Sequence, residues 1–215
     1  MSEESTVTTD VITQETYAPI VGTNVYLNPE AFNHAQRVAK MFASSTFLPE
    51  CYKGNLPNCL IAFNLANRLQ IDPFTLMQNS AVVHGKPGLE GKLYIALLRD
   101  PSRSPFAETF DISYEGSGDK LVAIASGIHK GTGSRKEKRL SIDEVKNIGW
   151  YAKNDWWKKI PEQMLGYRVA SLFCKLYCPE VSLGLMTIDE LQDTFSEPVN
   201  KKKRSTLNDV EIVNE

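Results

Sequence analysis

The sequence lacks any hydrophobic run long enough to cross a membrane. No stretch approaches the ~18 apolar residues that a membrane span requires. The first thirty residues contain no lysine or arginine, so the basic-then-apolar order of a secretory signal is missing as well. We therefore expect the protein to stay in the cytoplasm where it is made and to have no membrane partner.

Cysteine is scarce and irregularly spaced. Cys51, Cys59, Cys174 and Cys178 form no CxxC pair, and only three histidines could join them as metal ligands. Structural zinc sites usually have more tightly paired ligands. We expect reduced, buried thiols and no metal site.

Signatures of common catalytic sites are missing too. The sequence contains no GxxxxGK[ST], no GxSxG and no HExxH motif. The glycine-rich stretch over residues 85–92 lacks the strand-loop-helix spacing of a dinucleotide site. ATP-driven strand exchange of the P-loop kind would therefore have no phosphate cradle, and we predict a protein that is not an enzyme and needs no cofactor. A metal-dependent nuclease built from distant carboxylates stays open as an alternative.

Basic residues do not outnumber acids over the whole chain, but they are concentrated in one segment. The formal net charge is -2, yet residues 130–159 include nine basic residues and only four acids, which gives this segment a local charge of +5. Charge segregated in this way suggests an anionic partner that meets one face of the protein. A solvated surface loop explains it equally well. The basic residues are Lys130, Arg135, Lys136, Lys138, Arg139, Lys146, Lys153, Lys158 and Lys159.

The two ends of the chain differ from its middle. Residues 1–27 are acidic and have no helical or alternating apolar period, and residues 198–215 are polar, with a basic run at 201–204. We expect a flexible acidic arm and a flexible polar tail. The span between them, residues 28–197, has the length of one domain with one core.

The middle of the chain opens with helical patterns. Asn28 can cap a first helix, a second helix begins near Pro57, and a short third helix begins at Pro73. Apolar residues cover so much of the second helix that we expect it to be buried. Residues 81–92 predict a small hairpin, and residues 93–98 return to helical spacing.

Strand patterns follow. Alternating and β-branched residues over 106–114 and 120–129 flank a glycine-containing turn, which predicts two antiparallel strands. Residues 135–140 can add a third strand, reached over the flexible glycine-rich segment 130–134.

Two helices complete the pattern. Ser141, with Glu144 three residues later, fits a capping box that opens a short helix. A last long helix follows Pro161 and should bury one face that includes Val169 and Leu176. Helices, then a small antiparallel sheet, then a long helix predict an α+β fold.

Residues 149–161 contain all three tryptophans and three lysines of the basic segment. Aromatic faces stack on bases and lysines neutralise phosphates, a combination typical of proteins that bind single strands without sequence preference. Tryptophan is also usually well buried, so we expect at least one of Trp156 and Trp157 to anchor the segment to the core.

Arg168 and Lys175 are seven residues apart on the last long helix. They should project from nearly the same side, about 10 Å apart, with Ser171 between them. Such a polar stripe could follow a DNA backbone. A plain solvated helix face explains it almost as well.

Two blocks of the sequence carry a family likeness. The first consists of residues 58–62 (NCLIA), 69–73 (LQIDP), 77–79 (MQN) and 83–89 (VHGKPGL), and the second of residues 156–170 (WWKKIPEQMLGYRVA). In this order and at this separation they resemble the phage RecT family of single-strand annealing recombinases. The likeness extends over about residues 28 to 195.

The resemblance implies a Rad52-like core, in which a small curved antiparallel sheet packs against a long helix. It also implies ATP-independent annealing of single-stranded DNA, binding to the annealed duplex, assembly into homo-oligomeric rings or helical filaments, and a phage exonuclease as partner. DNA would lie in a groove lined by the hairpin, the basic strand and the last long helix. The predicted DNA-binding residues are Lys86, Arg135, Lys136, Lys138, Arg139, Lys153, Trp156, Trp157, Lys158, Lys159, Arg168 and Lys175.

Two further alternatives stay open besides the nuclease. A regulator that binds double-stranded DNA would use the helix carrying Arg168 as its recognition helix. A structural or inhibitory phage factor would instead use the acidic arms to bind proteins.

Overall fold

The computed structural model of the protein describes residues 26–195. The predicted polar tail and the predicted acidic arm, apart from its last two residues, lie outside the described residues.

Within residues 26–195 the chain forms ten α-helices, six strands and one 3-10 turn at Gly118–Lys120. The helices are α1 (Pro29–Ala43), α2 (Leu56–Leu69), α3 (Pro73–Gln78), α4 (Gly91–Leu98), α5 (Ile142–Ile148), α6 (Trp150–Lys153), α7 (Trp156–Lys159), α8 (Pro161–Tyr177), α9 (Pro179–Ser182) and α10 (Ile188–Phe195). The strands are β1 (Ser80–Val83), β2 (Lys86–Leu89), β3 (Asp111–Glu115), β4 (Val122–Ile128), β5 (Arg135–Ser141) and β6 (Met186–Thr187).

Side-chain caps fix the starts of the first three helices. Asn28, Asn55 and Asp72 each accept a hydrogen bond from a backbone N–H two or three residues further along the chain. A proline in the first turn of each helix has its φ already set for helix and lacks the N–H that would need a partner. The three predicted N-terminal helices are confirmed.

Helix α2 is less buried than expected. Its buried side chains all lie on one face, and most of them are small, as in Cys59, Ala62 and Ala66. Ile61, on the opposite side, is 54% exposed. The prediction that α2 is buried is wrong for that side, because its small residues let neighbouring elements pack closely against one face only.

The first sheet contains the predicted hairpin and a strand that was not predicted. Strands β1 and β2 pair antiparallel through a turn at His84 and Gly85, both of which have positive φ, as the tightest hairpin turns require. Strand β6 then pairs with β2 in parallel. This short strand brings the chain back beside the hairpin and leads directly into α10.

The second sheet has the order β3-β4-β5 and is antiparallel throughout, which confirms the three predicted strands. The first of them begins at Asp111, later than the predicted residue 106. The intervening residues form a turn in which the Phe110 N–H donates to the Phe106 carbonyl at 2.7 Å. Both phenylalanines are buried, so core packing rather than strand pairing accounts for their apolar character.

The connection between β4 and β5 is a hydrogen-bonded turn. The Nδ1 atom of His129 accepts the backbone N–H groups of Gly131 and Thr132, at 3.1 and 3.3 Å. The backbone N–H of Lys130 donates to Pro105 and ties the turn to the preceding loop. The glycine-rich segment expected to be flexible therefore has a defined set of backbone contacts.

Helix α8 packs across the inner face of the second sheet and forms the centre of the core. Its Phe173 ring lies 5.0 Å from the Phe106 ring and 5.4 Å from the Phe110 ring, measured between centroids. Ala123 and Leu140 close this core from the sheet side. The prediction that Leu176 lies on the buried face is wrong, because this residue is 61% exposed near the end of the helix. The chain thus has the predicted α+β architecture.

Gly91 marks the crossing of α4 and α8, where a Cβ atom would lie 2.4 Å from the Cβ of Tyr167. We expect Gly91→Ala to lower the free energy of unfolding by roughly 1 to 2 kcal/mol, because the overpacking outweighs the helix propensity that alanine adds. Denaturant unfolding measures the change. Lys92→Ala, at the exposed next position, should have little effect, and equal midpoints for both variants would contradict the close crossing.

Candidate nucleic-acid interface

A surface cleft of about 470 Å³ lies between the α6–α7 segment and α10. We call it the Trp156 cleft. Two cations, two carboxylates, two amide side chains and one indole ring contribute to its walls, which gives it both charge and flat apolar surface. Its lining residues are Lys153, Asn154, Asp155, Trp156, Lys159, Gln192 and Asp193.

Two backbone turns build the α6–α7 segment. Gly149, with φ of 89°, ends α5 in the left-handed conformation that glycine adopts without strain, and α6 begins at the next residue. The Asn154 side chain then accepts the backbone N–H of Trp156 at 3.0 Å, so the chain turns again into α7. These turns place Lys153 before the second bend and Lys159 after it, on the same cleft.

The Trp156 ring is the aromatic surface of the cleft. Its side chain is 55% exposed, which is unusual for the largest apolar residue. The Lys159 Nζ lies 5.2 Å from the centroid of that ring. A flat ring with an ammonium beside it can stack on a base while the ammonium meets the adjoining phosphate.

Trp157, the next residue, is fully buried. This confirms the prediction that at least one of the two adjacent tryptophans anchors the segment to the core. It also places the Trp157 ring outside any surface that a DNA strand could contact in this conformation.

The three lysines of the segment are in different electrostatic situations. The Lys158 Nζ lies 2.9 Å from the Asp155 carboxylate, and this contact lowers the pKa of Asp155 and raises the pKa of Lys158. The Lys153 Nζ donates to the backbone carbonyl of Asp193 at 2.8 Å. Lys159 forms no ion pair with another residue of the range 26–195. Within residues 26–195, Lys153 and Lys159 are therefore the cleft cations without a salt bridge, although the carboxylates of Asp193 and Asp155 in the same lining attract them.

The predicted polar stripe on α8 is not solvated. Arg168 is only 2% exposed, Ser171 is fully buried, and the Lys175 ammonium is paired with the Glu190 carboxylate. The prediction of an exposed Arg168 side chain is wrong because α10 covers this side of α8 and supplies the acids that pair with its cations. A recognition helix that presents Arg168 to a DNA groove is incompatible with this arrangement.

The cations of β5 lie on both faces of the second sheet. Arg135 and Arg139 are on the outer face, where Arg139 pairs with Glu115 and Glu137. Lys136 and Lys138 alternate with them on the face toward α8, and the Lys136 Nζ lies 5.9 Å from the centroid of the Tyr177 ring. None of these four side chains lines the Trp156 cleft.

Lys86 is exposed beside the hairpin turn and does not line the Trp156 cleft either. Of the twelve predicted DNA-binding residues, the structure brings Lys153, Trp156 and Lys159 together, with Lys158 adjacent to them in the chain. The single groove expected from hairpin, strand and helix is replaced by a more local cleft.

Sequence analysis missed α10 as a component of the site. Its Gln192 and Asp193 form the wall opposite the lysines, and Asp189 and Glu190 lie in the first turn of the helix. The available signal was spacing. Glu190 and Asp193 are three residues apart and would lie on one face of their helix, and the same holds for Arg168 and Ser171. The two faces could therefore pair Asp193 with Arg168 and Glu190 with Ser171 across the two helices.

Metal-binding clusters and membrane-spanning helices are both absent from the part of the chain that the structure describes. Over residues 26–195, no three histidine, cysteine or acidic side chains lie close enough together to hold a metal ion. In the same range, no helix is both long and apolar enough to pass through a bilayer.

Comparison with protein-family models matches residues 100–205 to the RecT family. The matched span covers the second sheet, the Trp156 cleft, α8 and α10. No curated protein and no solved structure matches the chain.

Proposed function

The chain belongs to the RecT family, whose model it matches over residues 100–205, and we propose that it binds single-stranded DNA in the Trp156 cleft and anneals complementary strands without ATP. Family membership supports a role in recombination by strand annealing. We propose that DNA contacts the residues that line this cleft.

The observation that carries this proposal is the exposed Trp156 ring facing a cleft that also contains Lys153 and Lys159. Base stacking on an aromatic side chain is worth about 1 to 3 kcal/mol and tolerates any sequence, because every base has a π-face. Lys153 and Lys159, which both line the cleft, would add phosphate contacts, which also carry no sequence preference.

Annealing follows from how such a strand would be held. Phosphates bound by lysines and one base stacked on Trp156 leave the other base edges exposed for pairing with a second strand. The protein concentrates and orders the bases, and no covalent bond forms or breaks. We therefore propose a non-catalytic protein that works without a cofactor.

Several broader features belong to the same proposal. The packing of α8 on the β3-β4-β5 sheet supports a Rad52-like core, and family membership supports a homo-oligomer, in rings or filaments, that works beside a phage exonuclease in the cytoplasm. We propose residues 28–197 as the annealing domain. Lys86 and the cations of β5 are proposed as contacts for the annealed duplex or for a neighbouring length of strand.

Competition between probes tests the proposal. A fluorescent single-stranded oligonucleotide bound to the protein should be displaced by unlabelled single strand far better than by duplex of the same sequence, and complementary strands should anneal faster with the protein and no nucleotide. Equal displacement by duplex would support a double-strand regulator. Absence of binding would support a protein-binding phage factor, and cleavage on adding magnesium would support a nuclease.

Lys158 and Lys159 are adjacent in the chain but differ in their contacts, so they form a matched pair for mutation. Lys159→Ala should weaken binding of all sequences alike and reduce the slope of log K against log salt by about 0.7, the value for one phosphate contact on a single strand. Lys158→Ala should change both quantities less, because Asp155 already pairs with that ammonium. Anisotropy titrations at several salt concentrations measure affinity and slope together.

A larger effect from Lys158→Ala than from Lys159→Ala would show that the strand passes outside the Trp156 cleft. Loss confined to one oligonucleotide sequence would show base recognition instead of phosphate binding.

A further inference from the structure

Helix α10 forms one wall of the Trp156 cleft, and polar contacts hold much of that wall in place. Leu191 is its buried apolar anchor, and it packs at Gly88 of the hairpin. The other buried side chains described in this helix are those of Glu190 and Asp193. At the cleft end of α10, the buried carboxylate of Asp193 depends on the cation beneath it, whereas Glu190 lies outside the cleft lining.

Arg168 is the cation beneath the cleft end of α10. Its guanidinium carbon lies 4.2 Å from the centroid of the Trp150 ring and 5.7 Å from that of Trp157. Its Nη2 donates to the carboxylate of Asp193, and both side chains are 2% exposed. Burial raises the pKa of Asp193, and the neighbouring guanidinium partly offsets that rise. A planar cation fixed between two rings has little freedom to follow a displaced partner.

Asp193 is held from two directions. Its side chain binds Arg168 in the interior, while its backbone carbonyl accepts the Lys153 ammonium at 2.8 Å on the cleft side. The position of Asp193 therefore sets the position of Lys153, one of the two cleft cations, and of the neighbouring Gln192.

We propose that Arg168 is a positioning residue for DNA binding, which acts through Asp193 to seat α10 and orient Lys153 without touching the strand. This inference rests on the proposed function of the Trp156 cleft and assigns Arg168 a different role from the backbone contact expected from the sequence. It makes the Arg168–Asp193 ion pair between α8 and α10 part of the binding machinery.

Asp193→Asn separates a positioning role from a direct contact, because the two predict opposite signs. If Arg168 positions α10, the variant should bind a labelled oligo-dT on the order of tenfold more weakly, as for other residues that couple to a site without contacting its ligand. Its salt slope should stay at the wild-type value, since no phosphate contact is removed. If Arg168 contacts DNA, losing the competing carboxylate should strengthen binding and steepen the slope.

A double variant guards against failure of Asp193→Asn to fold. Arg168→Met with Asp193→Leu replaces the buried ion pair by apolar side chains, an exchange that often preserves or raises stability. We expect it to return affinity and salt slope close to wild type. Weak binding with a slope reduced by about 0.7 would mean that Arg168 had supplied a phosphate contact, and would overturn the proposal.

Lys175→Met is the matched control for a merely structural effect. It removes the other ion pair between α8 and α10, at Glu190, which does not line the cleft. We expect lower stability with affinity near the wild-type value. Wild-type protein that binds no single strand would refute the proposed function. Normal wild-type binding with unchanged affinity in Asp193→Asn would refute this inference only.

Discussion

Trp157→Ala is expected to lower the free energy of unfolding by about 3 to 5 kcal/mol, the usual cost of removing a large aromatic side chain from a core. The Trp157 side chain is fully buried and lies beside the Arg168 guanidinium. Its loss would leave a cavity and also remove one of the two rings that enclose a buried cation. We expect this to be among the most destabilising single substitutions in the segment.

Denaturant unfolding of three variants measures this effect. Trp156→Ala is the matched control, because the same side chain is removed one residue earlier from an exposed position, and we expect a change within about 0.5 kcal/mol. Trp157→Phe should recover part of the loss, since it keeps an aromatic ring in the same space. Similar free-energy costs for Trp156→Ala and Trp157→Ala would contradict the assignment of one ring to the core and the other to the surface.

Trp156→Ala is expected to weaken binding of single-stranded DNA by about 1 to 3 kcal/mol, the range for loss of one base-aromatic stack. This corresponds to a dissociation constant raised roughly fivefold to 150-fold. Because the ring carries no charge, the salt slope should stay at the wild-type value. Anisotropy titration of labelled oligo-dT at fixed salt measures the affinity, and repeating it at several salt concentrations measures the slope.

Trp156→Phe serves as the conservative control for that loss. A smaller ring retains a stacking face, so its affinity should fall between those of wild type and Trp156→Ala. Unchanged affinity in Trp156→Ala would remove the stacking role from the site. A reduced slope would show that the substitution had displaced Lys159, whose ammonium lies beside this ring.

Local features of the fold could be predicted from the sequence. The cap at Asn28, the capping box of Ser141 and Glu144, and the His84-Gly85 turn all depend on residues within four positions of each other. Such interactions are set by the chain before distant parts meet, so the pattern of residues suffices to find them.

Features that depend on distant partners could not be predicted in the same way. Arg168 looked like a surface residue because the acid that pairs with it lies 25 positions later, on a helix whose packing the sequence did not reveal. The two adjacent tryptophans have the same chemistry, and only the packing of the short α7 helix decides which of them is buried. The cations of β5 alternate between two faces of a sheet, so sequence proximity did not place them on one surface.

Photocrosslinking tests the central claim most directly. A single-stranded oligonucleotide that contains 4-thiothymidine is bound to the protein at moderate salt and irradiated, and the crosslinked protein is then digested into peptides. The oligonucleotide should be attached mainly to the peptide that contains Trp156 and Lys159. Crosslinks confined to the outer face of β5 or to the β1–β2 hairpin, with none at Trp156, would contradict the assignment of the cleft as the DNA site.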